Sequence, residues 1–385
     1  MTGSAGGEDQ FAVRLAPGVG AFDAAEWNAL GGNRNPFVSH EFLTALERSE
    51  SVGEGTGWEP APMAITDQGG RLVGALPSYA KGHSRGEYVF DQSWAEAYHR
   101  TGASYYPKLQ IAAPFTPVSG PRLLVSDPAW SAHLLKGAQI VCQQNGLSSA
   151  HATFVESDQL PLFEAAGWLL RSDIQFHWIN RDYQCFDGFL AALSSRKRKA
   201  MRKERKAAQA GLEIVRLSSD EIKPQHWDAF WVFYQDTGAR KWGTPYLTRE
   251  AFTLLGETMG DKLVLILALD DGEPIAGALN VLGPDAIYGR YWGCTREKRF
   301  LHFELCYYQA IDIAIERGLA RVEAGAQGGH KLARGYEPVR TWSAHWMAEP
   351  GFHKAVAQFL ERENELVTSD RDFLGERLPF RRGDD

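Results

Sequence analysis

Eight basic side chains crowd one short stretch of an acidic chain. Arg196, Lys197, Arg198, Lys199, Arg202, Lys203, Arg205 and Lys206 stand against a single acid, Glu204, while the 385 residues together carry a formal charge of −7. On a helix, Arg198, Arg202 and Arg205 fall at i, i+4 and i+7 and share a face, with Ala200, Met201 and Ala208 offering small apolar contacts. Such a helix cannot bury all its cations, so one face meets solvent or an anion. Phosphate binding by Arg198 and Arg202, on a helix through 196–206, is the chemistry this spacing predicts.

A second cluster is GAQGGHKLARGYEP, 325–338, directly after a short strand at 321–324. Gly325, Gly328 and Gly329 let backbone approach a ligand closely, and His330, Lys331 and Arg334 bring positive charge or proton-transfer capacity. Glu323 is near enough to neutralise one of them. A third feature is the join from Tyr291 to Glu304, where a strand runs into a helix. Helix N-termini attract anions, but a backbone nest for pyrophosphate wants several glycines, and this join has only Gly293. A fourth is an aromatic, polar segment that includes Asp91, Trp94, Tyr106 and Lys108. The chain lacks HExxH, GxSxG and GxxxxGK[ST]. No metal site is expected. Cys142, Cys185, Cys294 and Cys306 are scattered with no CxxC pair, which fits a reducing cytoplasm rather than a disulfide framework. Neither a secretory signal nor an apolar run of about 20 residues is seen, so no integral membrane segment is expected.

The elements that must position these residues alternate between helix and strand, which predicts a mixed α/β (α+β) protein. An internal echo divides it. Residues 67–76, DQGGRLVGAL, reappear 203 positions later as DDGEPIAGAL, 270–279, each followed by aromatic residues, Glu87–Phe90 and Ile287–Trp292. That spacing is far beyond a solenoid repeat of about 20–50 residues. It predicts two similar domains, 1–180 and 181–385, each a twisted mixed sheet flanked by helices. The hairpins near 60–80 and 262–282 should superimpose, and a ligand cleft should lie between the halves. One long helix is expected over Asp187–Ala210, and another over His302–Arg317.

At two segments the sequence resembles the Fem-type aminoacyltransferases, and more closely the FemAB-like branch labelled peptidoglycan biosynthesis/recognition, within the Gcn5-related acyltransferase superfamily. One segment runs from Arg198 and Arg202 to Gly211, similar to the Arg-x-x-x-Arg-Lys-Ala helix that opens Fem-type second domains. The other is His330-Lys331 through Gly335-Tyr336, similar to the Gly…Phe-Lys run after the last core strand, with His330 in place of the family's aromatic. The resemblance implies two tandem acyltransferase domains. It implies an enzyme that joins an activated acyl group to an amine of a small or peptide-like acceptor, with aminoacyl-tRNA as co-substrate and acetyl-CoA less favoured. No tightly bound cofactor is implied.

The family's lysine role, stabilising charge at the reacting carbonyl, falls on Lys331. Asp91, Glu304 and His330 are the candidate proton acceptors. Tyr291, Trp94, Tyr106, Lys108, Gln327 and Gly328 are expected to line the substrate cleft, and Arg198 and Arg202 to hold phosphate. The alternative is a non-catalytic ligand- or peptidoglycan-precursor-binding protein on the same fold.

Overall fold

The computed structural model describes residues 12–241, 245–325 and 328–381. Among the described residues, fifteen strands form two sheets. In chain order they are β1 (Val13–Leu15), β2 (Trp58–Pro60), β3 (Met63–Thr66), β4 (Leu72–Leu76), β5 (Ser78–Lys81), β6 (Lys108–Ile111), β7 (Leu124–Val125), β8 (Ser149–Thr153), β9 (Leu169–Ile179), β10 (Glu213–Ser218), β11 (Leu263–Asp270), β12 (Glu273–Leu282), β13 (Ala286–Cys294), β14 (Arg321–Glu323) and β15 (Glu337–Met347). A four-stranded sheet has the order β1-β3-β4-β7. An eleven-stranded sheet runs β10-β11-β12-β13-β14-β9-β15-β8-β6-β5-β2.

The large sheet is mirrored about its middle. β13 and β14 are parallel on one side, and β6 and β8 are parallel on the other. Between them β9 and β15 pair antiparallel from Glu337↔His177 to His345↔Leu169. β9 therefore lies between β14 and β15, and β15 lies between β9 and β8. The last strand of each half is thus flanked by strands of the other. Helices complete a mixed α+β fold, but its halves share a continuous sheet rather than carrying one each.

The echo is real in register and needs correction in extent. The hairpin β3–β4 has a bulge between Ile65 and Thr66, and β11–β12 has one between Ala268 and Leu269, 203 positions on. The two hairpins nevertheless lie in different sheets. Pro77 is the reason. It has no N–H to give a ladder, so β4 ends at Leu76 in the small sheet and β5 begins at Ser78 in the large one. The matching position in the second half is Asn280, where β12 continues unbroken opposite a bulge in β13. Glu87–Phe90 is not the counterpart of β13, as the echo suggested, because no strand forms there. By its pairing the counterpart is β6. A loop and a helix (Gln92–His99) inserted after β5 destroy the 203-residue spacing.

Two helix expectations are also refined. The stretch after β9 forms two helices, Phe186–Ala192 and Ser195–Gln209, with Leu193 extended between them. The helix after β13 runs from Leu301 to Glu316 and contains one π-helical turn, Glu304–Tyr308. One apolar core joins the halves: Trp27, Phe37 and Phe42 belong to the same cluster as Phe230, Phe252 and Leu265. Thr248 ties down the seam, its hydroxyl donating to the Ser49 carbonyl at 2.9 Å.

Candidate active site

β13 and β14 are paired only over Ala286↔Arg321, Ile287↔Val322 and Tyr288↔Glu323, and then part. A bulge drives the parting. Leu279 faces Tyr291 and Asn280 faces Gly289, so Arg290 is an extra residue opposite no partner. Bulges bend a strand and re-aim its side chains, often beside active sites. The notch so opened holds a pocket of about 130 Å3 lined by Ala278, Leu279, Asn280, Gly289, Arg290, Tyr291, Trp292, His302, Cys306, Tyr307 and Ala324. Gly289 keeps it open: a Cβ there would lie 3.6 Å from both Asn280 Oδ1 and the Glu323 carbonyl.

The pocket runs into a wider groove of about 460 Å3 that shares Trp292 and His302 and adds Thr237, Cys294, Arg296, Glu297, Lys298, Arg299 and Leu301. Arg296 is committed to Asp270 at 2.6 Å and Glu273 at 3.3 Å. Lys298 donates to the carbonyl of Ala210, the residue after the basic helix. The groove therefore lies beside that helix's C-terminal end, and its rim carries Lys298 and Arg299 alongside Glu297 and the paired Arg296.

The glycine-rich segment folds as a 3-10 turn, Gly329–Arg334, against the notch. Lys331 is 1% exposed, and its Nζ donates to the Gly325 carbonyl at 2.7 Å, one residue beyond pocket-lining Ala324. Burial pushes its ammonium down to about 8, a net shift that a smaller opposing interaction with neighbouring Cys306 does not cancel. Lys331 makes no ion pair with Glu323, whose carboxylate is held by Arg321 at 2.8 Å and lies 3.7 Å from His177. The His330 Nε2 is 2.9 Å from the Tyr307 hydroxyl, and its ring packs near His302 and Phe303. Gly328 has φ +123°, and a Cβ there would come within 2.6 Å of the His330 ring. Its role is to admit that ring. Tyr291 lines the pocket and packs on Tyr234 at 5.2 Å. Gln327 lies outside the described residues.

The other expected site residues are not brought to this notch. Glu304 belongs to the π-turn but points the other way. Arg205 at 3.0 Å, Gln209 at 2.8 Å and Gln309 at 2.6 Å saturate its carboxylate. Its carboxylate is thus engaged within the fold rather than offered to the notch.

Asp91 and Lys108 form a separate buried cluster in the first half. Lys108 is 0% exposed, 2.8 Å from Glu87 and 2.5 Å from Asp91, and Tyr105 donates to Asp91 at 2.8 Å. Burial works to raise the Asp91 pKa. The charge of Lys108 and hydrogen bonds from Lys108, Ser84 and Tyr105 overcome it, and the net shift is down. A carboxylate whose pKa is lowered is a weaker base, and Lys108 is taken up by its two carboxylates. Tyr106 joins this cluster through Ser84 at 2.8 Å, and Trp94 packs edge-on against His345 at 4.9 Å. None of the four lines either cavity at the notch.

On the basic helix the predicted face divides. Arg205 turns inward to Glu304 and Asp312. Arg202 is exposed and pairs with Asp187 at 2.7 Å. Arg198 makes no ion pair among the described residues. Residues unforeseen in sequence are Asn280, Gly289, Cys306 and Tyr307, whereas Trp292 and His302 lie in the join from Tyr291 to Glu304 singled out there. Asn280 alone carried a signal, as the single polar side chain in the run AGALNVL. Among the described residues, no group of three or more His, Cys, Asp or Glu could hold a metal ion, and no helix is long and apolar enough to cross a membrane.

A bulged strand parting from its parallel neighbour, with a pocket in the gap and a helix N-terminus beside it, defines a protein of the Gcn5-related acyltransferase fold, here in tandem. Within that class the chain belongs to the FemAB-like family, described as peptidoglycan biosynthesis/recognition, whose pattern matches residues 18–382. Among solved structures it is similar to FemX, at 13% identity and a TM-score of 0.54 over 88% of this chain and 98% of that one. It is also similar to L-PGS from Bacillus licheniformis, at 10% identity and 0.50 over 91% and 99%. A tandem GNAT protein from the clavulanic acid biosynthesis pathway aligns at 16% identity and 0.46 over 89% and 99%. At these identities the likeness concerns the fold alone. No curated protein matches the sequence. The family, with this fold, supports transferase activity.

Proposed function

We propose that the chain is an aminoacyltransferase of the cytoplasm that moves a small acyl group from aminoacyl-tRNA to an amine of a peptide-like acceptor. The observation that carries this reading is the notch itself: a pocket between the parted ends of β13 and β14, opening onto a groove lined by Lys298 and Arg299 beside the basic helix. In the reaction the amine nitrogen attacks the acyl carbonyl carbon. The carbonyl oxygen takes up negative charge, the amine's proton leaves to a base, and the bond to the ribose oxygen breaks as that oxygen takes up a proton to become a hydroxyl. Lys331 supplies positive charge beside the notch, and His330, linked to Tyr307, is the candidate for handling the proton. Preorganised charge of this kind acts strongly where water is excluded. Acetyl-CoA is the second candidate donor. Gly293 is the one glycine of the strand–helix join, which disfavours a pyrophosphate nest there.

The test is transfer by the purified protein from a mixed pool of radiolabelled aminoacyl-tRNA to a small-molecule extract of cells lacking the protein. Label entering an acceptor supports the reading. Calorimetry with acetyl-CoA is expected to show weak binding or none, and a tight complex would reverse the order of donors. If ligands bind and no acyl group moves, the chain is a binding protein on an acyltransferase fold.

The basic helix gives a separate expected result. Replacing Arg198 and Arg202 together by Ala should weaken tRNA binding and flatten its dependence on salt, since fewer counterions are then released. Stability should change by under about 0.5 kcal/mol, as is usual for surface positions. Unchanged tRNA binding combined with early unfolding would make the helix structural only.

A further inference from the structure

The wall of the notch pocket holds an unanswered hydrogen-bond acceptor. Asn280 is 0% exposed and lines the pocket, yet its Oδ1 has no hydrogen-bond partner among the described residues. Buried polar atoms are nearly always paired, and an exception calls for an explanation. The orientation of the amide follows from its other end. The Asn280 Nδ2 faces the carbonyls of Val264 at 3.5 Å and Ala278 at 3.4 Å. Flipping the amide would set an oxygen against two carbonyl oxygens, so the nitrogen belongs on that side. The oxygen is thereby turned toward Gly289, on the pocket wall.

Fold and sequence both mark this position. It stands opposite the bulge that opens the notch, on a strand whose neighbouring residues are apolar, and its counterpart in the first half is Pro77. The pocket is small, about 130 Å3, with room for only a few heavy atoms.

We infer that Asn280 selects the group to be transferred, and that the pocket takes a small acyl group carrying a hydrogen-bond donor, an ammonium or a hydroxyl, next to its carbonyl. This rests on the acyl-transfer reading of the notch. A ligand donor meeting Asn280 Oδ1 satisfies the buried oxygen, whereas a plain alkyl acyl group fills the space and leaves that oxygen desolvated and unpaired. Sites built to hydrogen-bond a substrate reject the analogue lacking the group far more strongly than apolar pockets reject an extra methylene.

Three amides of one shape test it: alaninamide, lactamide and isobutyramide, which place an ammonium, a hydroxyl and a methyl at the same carbon. Binding is read from the indole N–H resonance of Trp292, which lines the pocket and is assigned by its loss in Trp292→Phe. Alaninamide and lactamide are expected to bind at least about 10-fold more tightly than isobutyramide, the scale of one buried hydrogen bond. In Asn280→Leu, of nearly the same shape, the preference should vanish or invert. In Asn280→Asp, which keeps the acceptor and guards against a misfolded leucine variant, the preference for alaninamide should persist.

Equal binding of all three amides, a preference that survives in Asn280→Leu, or no shift of Trp292 with any amide would each overturn the inference. No transfer is needed for this readout. A clear preference in a protein that moves no acyl group would therefore defeat the proposed function and leave the selectivity standing.

Discussion

Lys331→Met is expected to cut turnover by about 10²–10³, the usual cost of removing one preorganised group that stabilises an oxyanion. Methionine keeps most of the lysine stem and removes only the charge. Donor affinity should fall much less, because the charge matters most as the carbonyl becomes tetrahedral. A pH profile separates this role from packing. The ammonium is held down to about 8 by burial, so the charged form is present below that value and lost above it. Activity should therefore fall as pH rises through about 8, and that descending limb should be missing in Lys331→Met. A variant with near-normal turnover, or one that keeps the limb, would reduce Lys331 to a strut holding the Gly325 carbonyl.

Lys108→Met should act in the opposite way, unfolding the protein early without a specific defect in chemistry. Lys108 is buried between Glu87 and Asp91. Removing it leaves two buried carboxylates with less compensating charge, and breaking a buried pair in this manner costs about 3–5 kcal/mol. The pH sign follows. Without Lys108, burial raises both carboxyl pKa values in the folded state, so the folded protein binds protons that the unfolded chain does not. The variant's deficit should shrink as pH falls from 8 toward 5. Chemical denaturation at several pH values checks this. Wild-type stability combined with a raised KM would return Lys108 to the substrate site where its sequence context suggested it.

These two lysines show what was legible in the sequence and what was not. Lys331 could be placed because it stands in a local signal, a glycine-rich turn directly after a short strand. Lys108 also stands among aromatic and polar residues. Nothing local reveals that Glu87 and Asp91 close around it, because the pairing depends on β6 lying beside β8 and on the helix that follows Asp91. The hairpin echo was legible because bulge and turn chemistry are local. The shared central pair β9–β15 was not, since a strand's neighbours in a sheet are set by topology rather than by its own pattern. Asn280 was overlooked for a related reason. One polar residue in an apolar strand reads as a tolerated exception until the bulge beside it is seen to open a pocket.

The most direct measurement is mass spectrometry of small molecules from cells carrying the wild-type protein, compared with cells carrying Lys331→Met at equal abundance. Acyl transfer at the notch predicts a species present in the first and depleted in the second. Its precursor should accumulate, lighter by the mass of one small amino-acid residue. A difference of one acetyl group would keep the site and change the donor. Identical profiles, with the variant folded and no precursor accumulating, would contradict the account that this notch transfers an acyl group.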